Sequence, residues 1–114
     1  MAAGYLELFM EQGESFSVDI ALDAINGSPY DLSDFAVKSQ IRKSHWSIDT
    51  TAVFDSSISA NGSNGIITLS LPATTTQSIE SGRYVYDVFL TNSSNNRSKV
   101  LEGILFVDPS STKI

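Results

Sequence analysis

Along most of this chain apolar and polar residues take turns. Phe16, Val18, Ile20 and Leu22 alternate with Ser17, Asp19 and Ala21, the period of two that a strand with one buried face produces. Phe35, Val37 and Ile41 share one parity against Lys38, Gln40 and Arg42, and Ile67, Leu69 and Leu71 do the same against Thr68 and Ser70. The longest regular run is Tyr84, Tyr86, Val88 and Leu90, opposed by Arg83, Asp87, Val85 and Phe89, so both tyrosines belong to a core. Residues 99–108, "KVLEGILFVD", are apolar on both parities around Gly103. That pattern predicts a central strand with a bulge or a close backbone approach at the glycine. Tyr5 to Met10 and Val53 to Ser59 complete the strands.

The punctuation agrees. "NGSP" at 26–29, "NGSNG" at 61–65 and "NSSNN" at 92–96 supply residues that tolerate positive φ or bond their own backbone, and they predict hairpins. Only "PATTTQSIESG" reads as helical, a short turn near residues 73–81 closed by Gly82. Its three consecutive threonines keep it short.

About seven short strands with almost no helix predict an all-β fold, an immunoglobulin-like or related Greek-key β-sandwich. The chain reads as a single domain over residues 1–114, with its core at about 5–109 and a short tail at 110–114. The uncharged, β-rich "GIITLSL" is expected to be an edge hazard, open to pairing with another chain.

Composition narrows the picture. No cysteine is present, which excludes disulfides and thiolate metal sites, rules out the disulfide of antibody domains, and favours folding in a reducing compartment. "MAAGYLELFM" lacks the basic start and long apolar run of a signal peptide, and no apolar run approaches the length of a membrane span. A formal charge of −6 and a pI near 4.4 argue against nucleic-acid binding. The charge is unevenly placed: seven acids precede the first basic residue, Lys38, and Lys38, Arg42 and Lys43 then follow within six positions. This describes either a solvated surface or charge complementarity between adjacent copies.

Little in the chain points to catalysis. His45 is the only histidine, and no nucleophile elbow, phosphate loop or dinucleotide fingerprint accompanies it. Asp31 and Asp34 offer hard oxygens to calcium but at the wrong spacing for a calcium-binding loop, and both residues are ordinary turn formers. Asn26, Asn61, Asn92 and Asn96 fit the glycosylation acceptor pattern, which a chain with turns of Asn, Gly and Ser generates readily. No enzyme activity, cofactor or metal is expected. The residues singled out are Arg42, Lys43, His45 and Trp46, a candidate partner contact. Trp46 either anchors a partner or folds back to cap the core. Glu102, between apolar neighbours, requires a donor, for which Arg42 is the expected partner, and Arg83 is expected to pair near Asp87.

Three stretches in order carry a resemblance: "QGESFSVDIAL" followed by "NGSPYDLSDFAVKSQIRKS", then "GIITLSLPATTTQSIESGRYVYDV", then "SKVLEGILFVDP". Together, over roughly residues 5–109, they resemble small β-sandwich structural proteins of tailed bacteriophages, among them those of T4-like phages of marine cyanobacteria. They are similar as well to the amino-terminal domain of phage baseplate upper proteins. The resemblance implies a non-enzymatic virion component of tail or baseplate, made in the host bacterial cytoplasm. Its partners would be its own copies, as a homo-oligomer, and other virion proteins, with no nucleic acid and no membrane. The alternative is a carbohydrate- or host-receptor-binding module, in which Tyr5, Tyr30, Trp46, Tyr84 and Tyr86 would form an aromatic platform.

Overall fold

A computed structural model of the chain describes residues 4–22, 31–58 and 65–112. Within these residues lie nine strands and one helix: β1 Gly4–Tyr5, β2 Leu8–Glu11, β3 Phe16–Ala21, β4 Ala36–Arg42, β5 Ala52–Val53, β6 Asp55–Ile58, β7 Ile66–Leu71, α1 Ala73–Ser78, β8 Gly82–Thr91 and β9 Arg97–Asp108. They form two sheets. The larger runs β1-β9-β8-β4-β5, with β2 also on β9, and the smaller runs β3-β7-β6. β1 and β2 pair parallel to β9, and the other pairs are antiparallel. The immunoglobulin-like sandwich is therefore the fold.

Two expected strands are each split, and each split has a cause. The run from Tyr5 to Met10 breaks at Leu6 and Glu7, where the Leu6 carbonyl accepts the Tyr86 hydroxyl at 2.6 Å. The run from Val53 changes sheets at Phe54: its N–H still donates to Ser39 O on β4 at 3.0 Å, while Asp55 already pairs with Ser70 on β7. The turn predicted at 26–29 lies outside the described residues, as do residues 61–64 of the one predicted at 61–65, whose Gly65 takes φ 68°. The one at 92–96 is a hairpin in which the Asn92 carboxamide oxygen accepts the N–H groups of Ser94 and Asn96, and Asn95 takes φ 66°.

The core is built from the inward parity. Ile67, Leu69 and Leu71 face Tyr84, Tyr86, Val88 and Leu90, with Ile41, Met10 and Leu105 completing the packed layer. Aromatic rings bridge the two sheets: Phe16 and Phe54 lie 5.9 Å apart between centroids, and Phe54 meets Tyr86 edge-on at 6.2 Å. Tyr84 donates its hydroxyl to the Glu80 carbonyl at 2.7 Å, the tyrosine-corner contact of immunoglobulin-like domains. At the same end the fully buried Thr76 of α1 accepts the Gly13 N–H at 3.1 Å, tying the helix to the β2–β3 turn. No helix among the described residues is long and apolar enough to cross a membrane.

The edge expectation fails. "GIITLSL" becomes β7, the middle strand of the smaller sheet, paired with β3 on one side and β6 on the other. Charge-free sequence here reflects burial between neighbours rather than an open edge.

Candidate functional site

The outward residues of the larger sheet form a ladder of rows across β4, β8 and β9. Lys38, Phe89 and Lys99 share one row, Gln40, Asp87 and Glu102 the next, and Arg42, Val85 and Ile104 a third. A bulge shapes this face. The β8–β9 register slips between Val88 and Phe89, so that Val100 and Leu101 both point inward and are buried. The parity of β9 reverses there, which brings Lys99 and Arg97 to the outer face together with Glu102 and Ile104. The bulge sits at Val100. Gly103 provides the close approach instead: a Cβ there would fall 1.9 Å from the Leu6 carbonyl oxygen.

These rows border a groove of about 350 Å³, with Val85 and Phe89 on its floor and Lys38, Arg42, His45 and Arg97 around it. Asp87 lies among them. Burial raises its carboxyl above the usual carboxylate range, and Glu102 adds to that, against the pull of Lys99, His45 and Arg42. Ser39 beneath the groove is 1% exposed and donates its hydroxyl to the Asp87 backbone carbonyl at 2.6 Å. The imidazole and the carboxylate thus share a groove, but the serine that lines it is engaged elsewhere.

The predicted contact residues separate. Arg42 donates to the carbonyls of Ser47 at 3.0 Å and Ile48 at 2.7 Å, and to the Gln40 side chain at 2.9 Å. It clamps the β4–β5 turn rather than reaching Glu102, because β8 lies between their strands; Glu102 pairs with Lys99 at 3.2 Å. Arg83 does not reach Asp87 either, since four residues along one strand span about 13 Å. Lys43 turns the other way and sits 4.6 Å over the Tyr84 ring. His45 borders the groove. Trp46 does not cap the core: it is 90% exposed, with Ile48 beside it at 94%. Ser44 and Ser47 close this turn through their side chains and backbone.

Other sequence candidates resolve locally. Asp31 accepts the backbone N–H and hydroxyl of Ser33, which hold its carboxyl below the usual range in an ordinary side-chain turn. Among the described residues no three or more His, Cys, Asp or Glu side chains cluster to hold a metal. Asn26, Asn61 and Tyr30 lie outside the described residues. Tyr84 and Tyr86 are buried, so an aromatic platform for sugar cannot include them. Arg97 and Lys99, absent from the predicted contact residues, belong to the groove face; of the two alternatives expected at Gly103 the close approach holds, and the bulge that turns these cations outward lies at Val100.

No protein-family model matches the chain, nor does any curated protein. Among solved structures it is similar to CopC from Methylosinus trichosporium OB3b, at 14% identity and a TM-score of 0.50, covering 100% of this chain and 91% of that one. An internalin-like protein of Listeria monocytogenes matches at 15% identity and a TM-score of 0.50, with 93% of this chain on 28% of that one. A chain from the complex of ICOS with ICOS-L and an anti-ICOS-L VNAR domain matches at 17% identity and a TM-score of 0.50, with 93% of this chain on 56% of that one. The chain thus spans little more than a quarter and a half of the latter two. At these identities the likenesses show the sandwich fold alone.

Proposed function

We propose that this chain is a non-enzymatic structural component of a tailed-phage particle, in tail or baseplate, working through protein–protein contacts made by its β4–β5 tip. The observation that carries the contact is the tip itself. Trp46 and Ile48 stand almost wholly in solvent on a turn held by the Arg42 clamp. A large apolar pair held rigid has already lost the conformational freedom that binding would otherwise cost, and tryptophan is a favoured anchor of interfaces. The virion placement rests on the sequence resemblance, and it makes copies of this chain and other virion proteins the partners.

Trp46→Ala tests the contact. The variant should melt within about 0.5 kcal/mol of wild type, as an exposed position does. Its capture of other virion proteins should weaken by at least about tenfold. Loss of the fold, or full capture by the variant, refutes the tip as an anchor. Mass spectrometry of purified particles tests the placement: the chain should be present in repeated copies, and its absence refutes a virion role.

A further inference from the structure

We propose that copies of this chain stack head to tail, the basic groove of the larger sheet in one copy seated on the outer face of the smaller sheet in the next. This rests on the reading of the chain as an assembly protein and names one of its partners, a second copy.

Among the described residues the cations are confined to one of the two sheets. Six of the seven Lys and Arg residues, Lys38, Arg42, Lys43, Arg83, Arg97 and Lys99, lie on β4, β8, β9 or directly after β4. All of these elements belong to the larger sheet. The strands of the smaller sheet, β3, β6 and β7, carry no cation and present Asp19 and Asp55 outward among serines and threonine. The larger sheet has acids of its own, but Glu11 and Asp108 pair at the far end of β9 from Arg97, so it is the cations alone that are confined to one sheet, a choice that solvation does not make.

The spacing matches as well as the sign. Across β3, β7 and β6 the outward rows are Ser17–Ser70–Asp55 and Asp19–Thr68–Ser57. The two carboxylates are therefore two strands and one row apart, about 12 Å from strand spacing and rise. Thr68 holds the Asp19 carboxylate at 2.7 Å. On the larger sheet Lys38 pairs with Phe89 and Arg97 with Thr91, which puts those cations two strands and one row apart as well. Asp87 lies in the row beyond Lys38, away from Arg97, and Glu102 is occupied by Lys99. A two-fold contact of groove on groove would set Lys38, Arg42 and Arg97 against their own copies, so like charge opposes it. The complementary contact is heterologous: each copy offers one face of each kind on opposite sides of the sandwich, and addition continues until a ring or column forms.

Sedimentation velocity on the full chain, across a range of concentrations, tests this. Wild type should associate at about 20 mM salt and dissociate at about 500 mM, where exposed charges are screened. Lys38→Glu with Arg97→Glu should weaken association at least about tenfold, and Asp19→Lys with Asp55→Lys should do the same. An equal mixture of the two double variants should associate again in alternation, because each then meets an opposite face. All four positions are exposed, and circular dichroism confirms the fold of each variant. Wild type that stays monomeric at low salt overturns the stacking, and so does an Asp19/Asp55 variant that associates like wild type. Neither result touches the tip: capture of virion proteins that depends on Trp46 would still stand, and stacking that survives Trp46→Ala would stand without it.

Discussion

Gly103→Ala is the substitution that the packing condemns most directly. Gly103 is not among the glycines with positive φ, so its backbone conformation would admit alanine, and space alone decides. An added Cβ would meet the Leu6 oxygen at 1.9 Å, its carbonyl carbon at 2.8 Å and its nitrogen at 3.2 Å. All three atoms are backbone, so no side chain can swing aside; the link between β1 and β2 must lift away from β9. Two bonds are lost with that movement. The Leu6 N–H no longer reaches Glu102 O, now at 3.0 Å, and the buried Tyr86 hydroxyl loses the Leu6 carbonyl.

The first loss costs about 1 kcal/mol and the second about 1–3, because it leaves a buried hydroxyl unsatisfied. Alanine recovers about 0.4–1 kcal/mol by stiffening the unfolded chain. Displacement of the buried Leu8 and Met10 adds about 1 kcal/mol of lost packing. The expected net loss is about 3 kcal/mol, a fall in Tm of roughly 12 °C for a domain of this size. Urea unfolding followed by far-UV circular dichroism measures it, with Tyr86→Phe as the companion. The two effects should sum to more than the double variant loses, since both act through the Leu6 carbonyl. A Gly103→Ala protein within about 0.5 kcal/mol of wild type refutes the close approach.

Tyr84→Phe removes the hydroxyl that binds the Glu80 carbonyl and should cost about 1 kcal/mol in urea unfolding; an unchanged midpoint shows that the corner carries no stability. Burial holds the Asp87 carboxyl above its ordinary 3.8, so the folded state binds that proton more tightly than the unfolded chain does. Stability is therefore lost as pH rises from the ordinary value through the raised one, and the deficit persists at neutral pH. Asp87→Asn should be more stable than wild type at about pH 7 and lose that advantage near pH 3, whereas a difference independent of pH contradicts the assignment. Arg42→Met keeps the stem of the side chain but releases the carbonyls of Ser47 and Ile48. Amide exchange across residues 43–50 should quicken and Trp46 fluorescence anisotropy should fall; an unchanged turn would show that the serine contacts suffice.

The parity of side chains was legible from sequence because it is local. Ile67, Leu69, Leu71, Tyr84, Tyr86, Val88 and Leu90 all face inward as alternation requires. The Asn92 hairpin and the short helix after Pro72 were legible for the same reason, since each is built from bonds within a few residues. What escaped depends on strand order. Nothing local tells β7 that neighbours lie on both sides, or tells Arg42 that β8 separates it from Glu102. The bulge was legible only as a loss of alternation in β9; whether Val100 or Gly103 carries it is decided by the register with β8. Trp46 posed the same difficulty, for a loop indole can cap a core only where the core is open, and here Phe54 and Tyr86 already fill the space between the sheets.

The same dependence on topology governs the charges. Read along the chain, the acids of the first third followed by Lys38, Arg42 and Lys43 are only an uneven distribution. Folding sends β3 to one sheet and β4 to the other, and the chain's unevenness becomes a difference between two faces. Arg97 and Lys99, more than fifty positions after Lys43, then join the same face through the hairpin with β8 and the parity change at Val100. Stability asks of these outward positions only that they remain polar, a condition that Ser, Thr or Gln would meet equally well. The proposed stacking gives a face that gathers cations from three strands a partner in the chain's own reverse side, whose strands carry none and whose carboxylates match it in spacing.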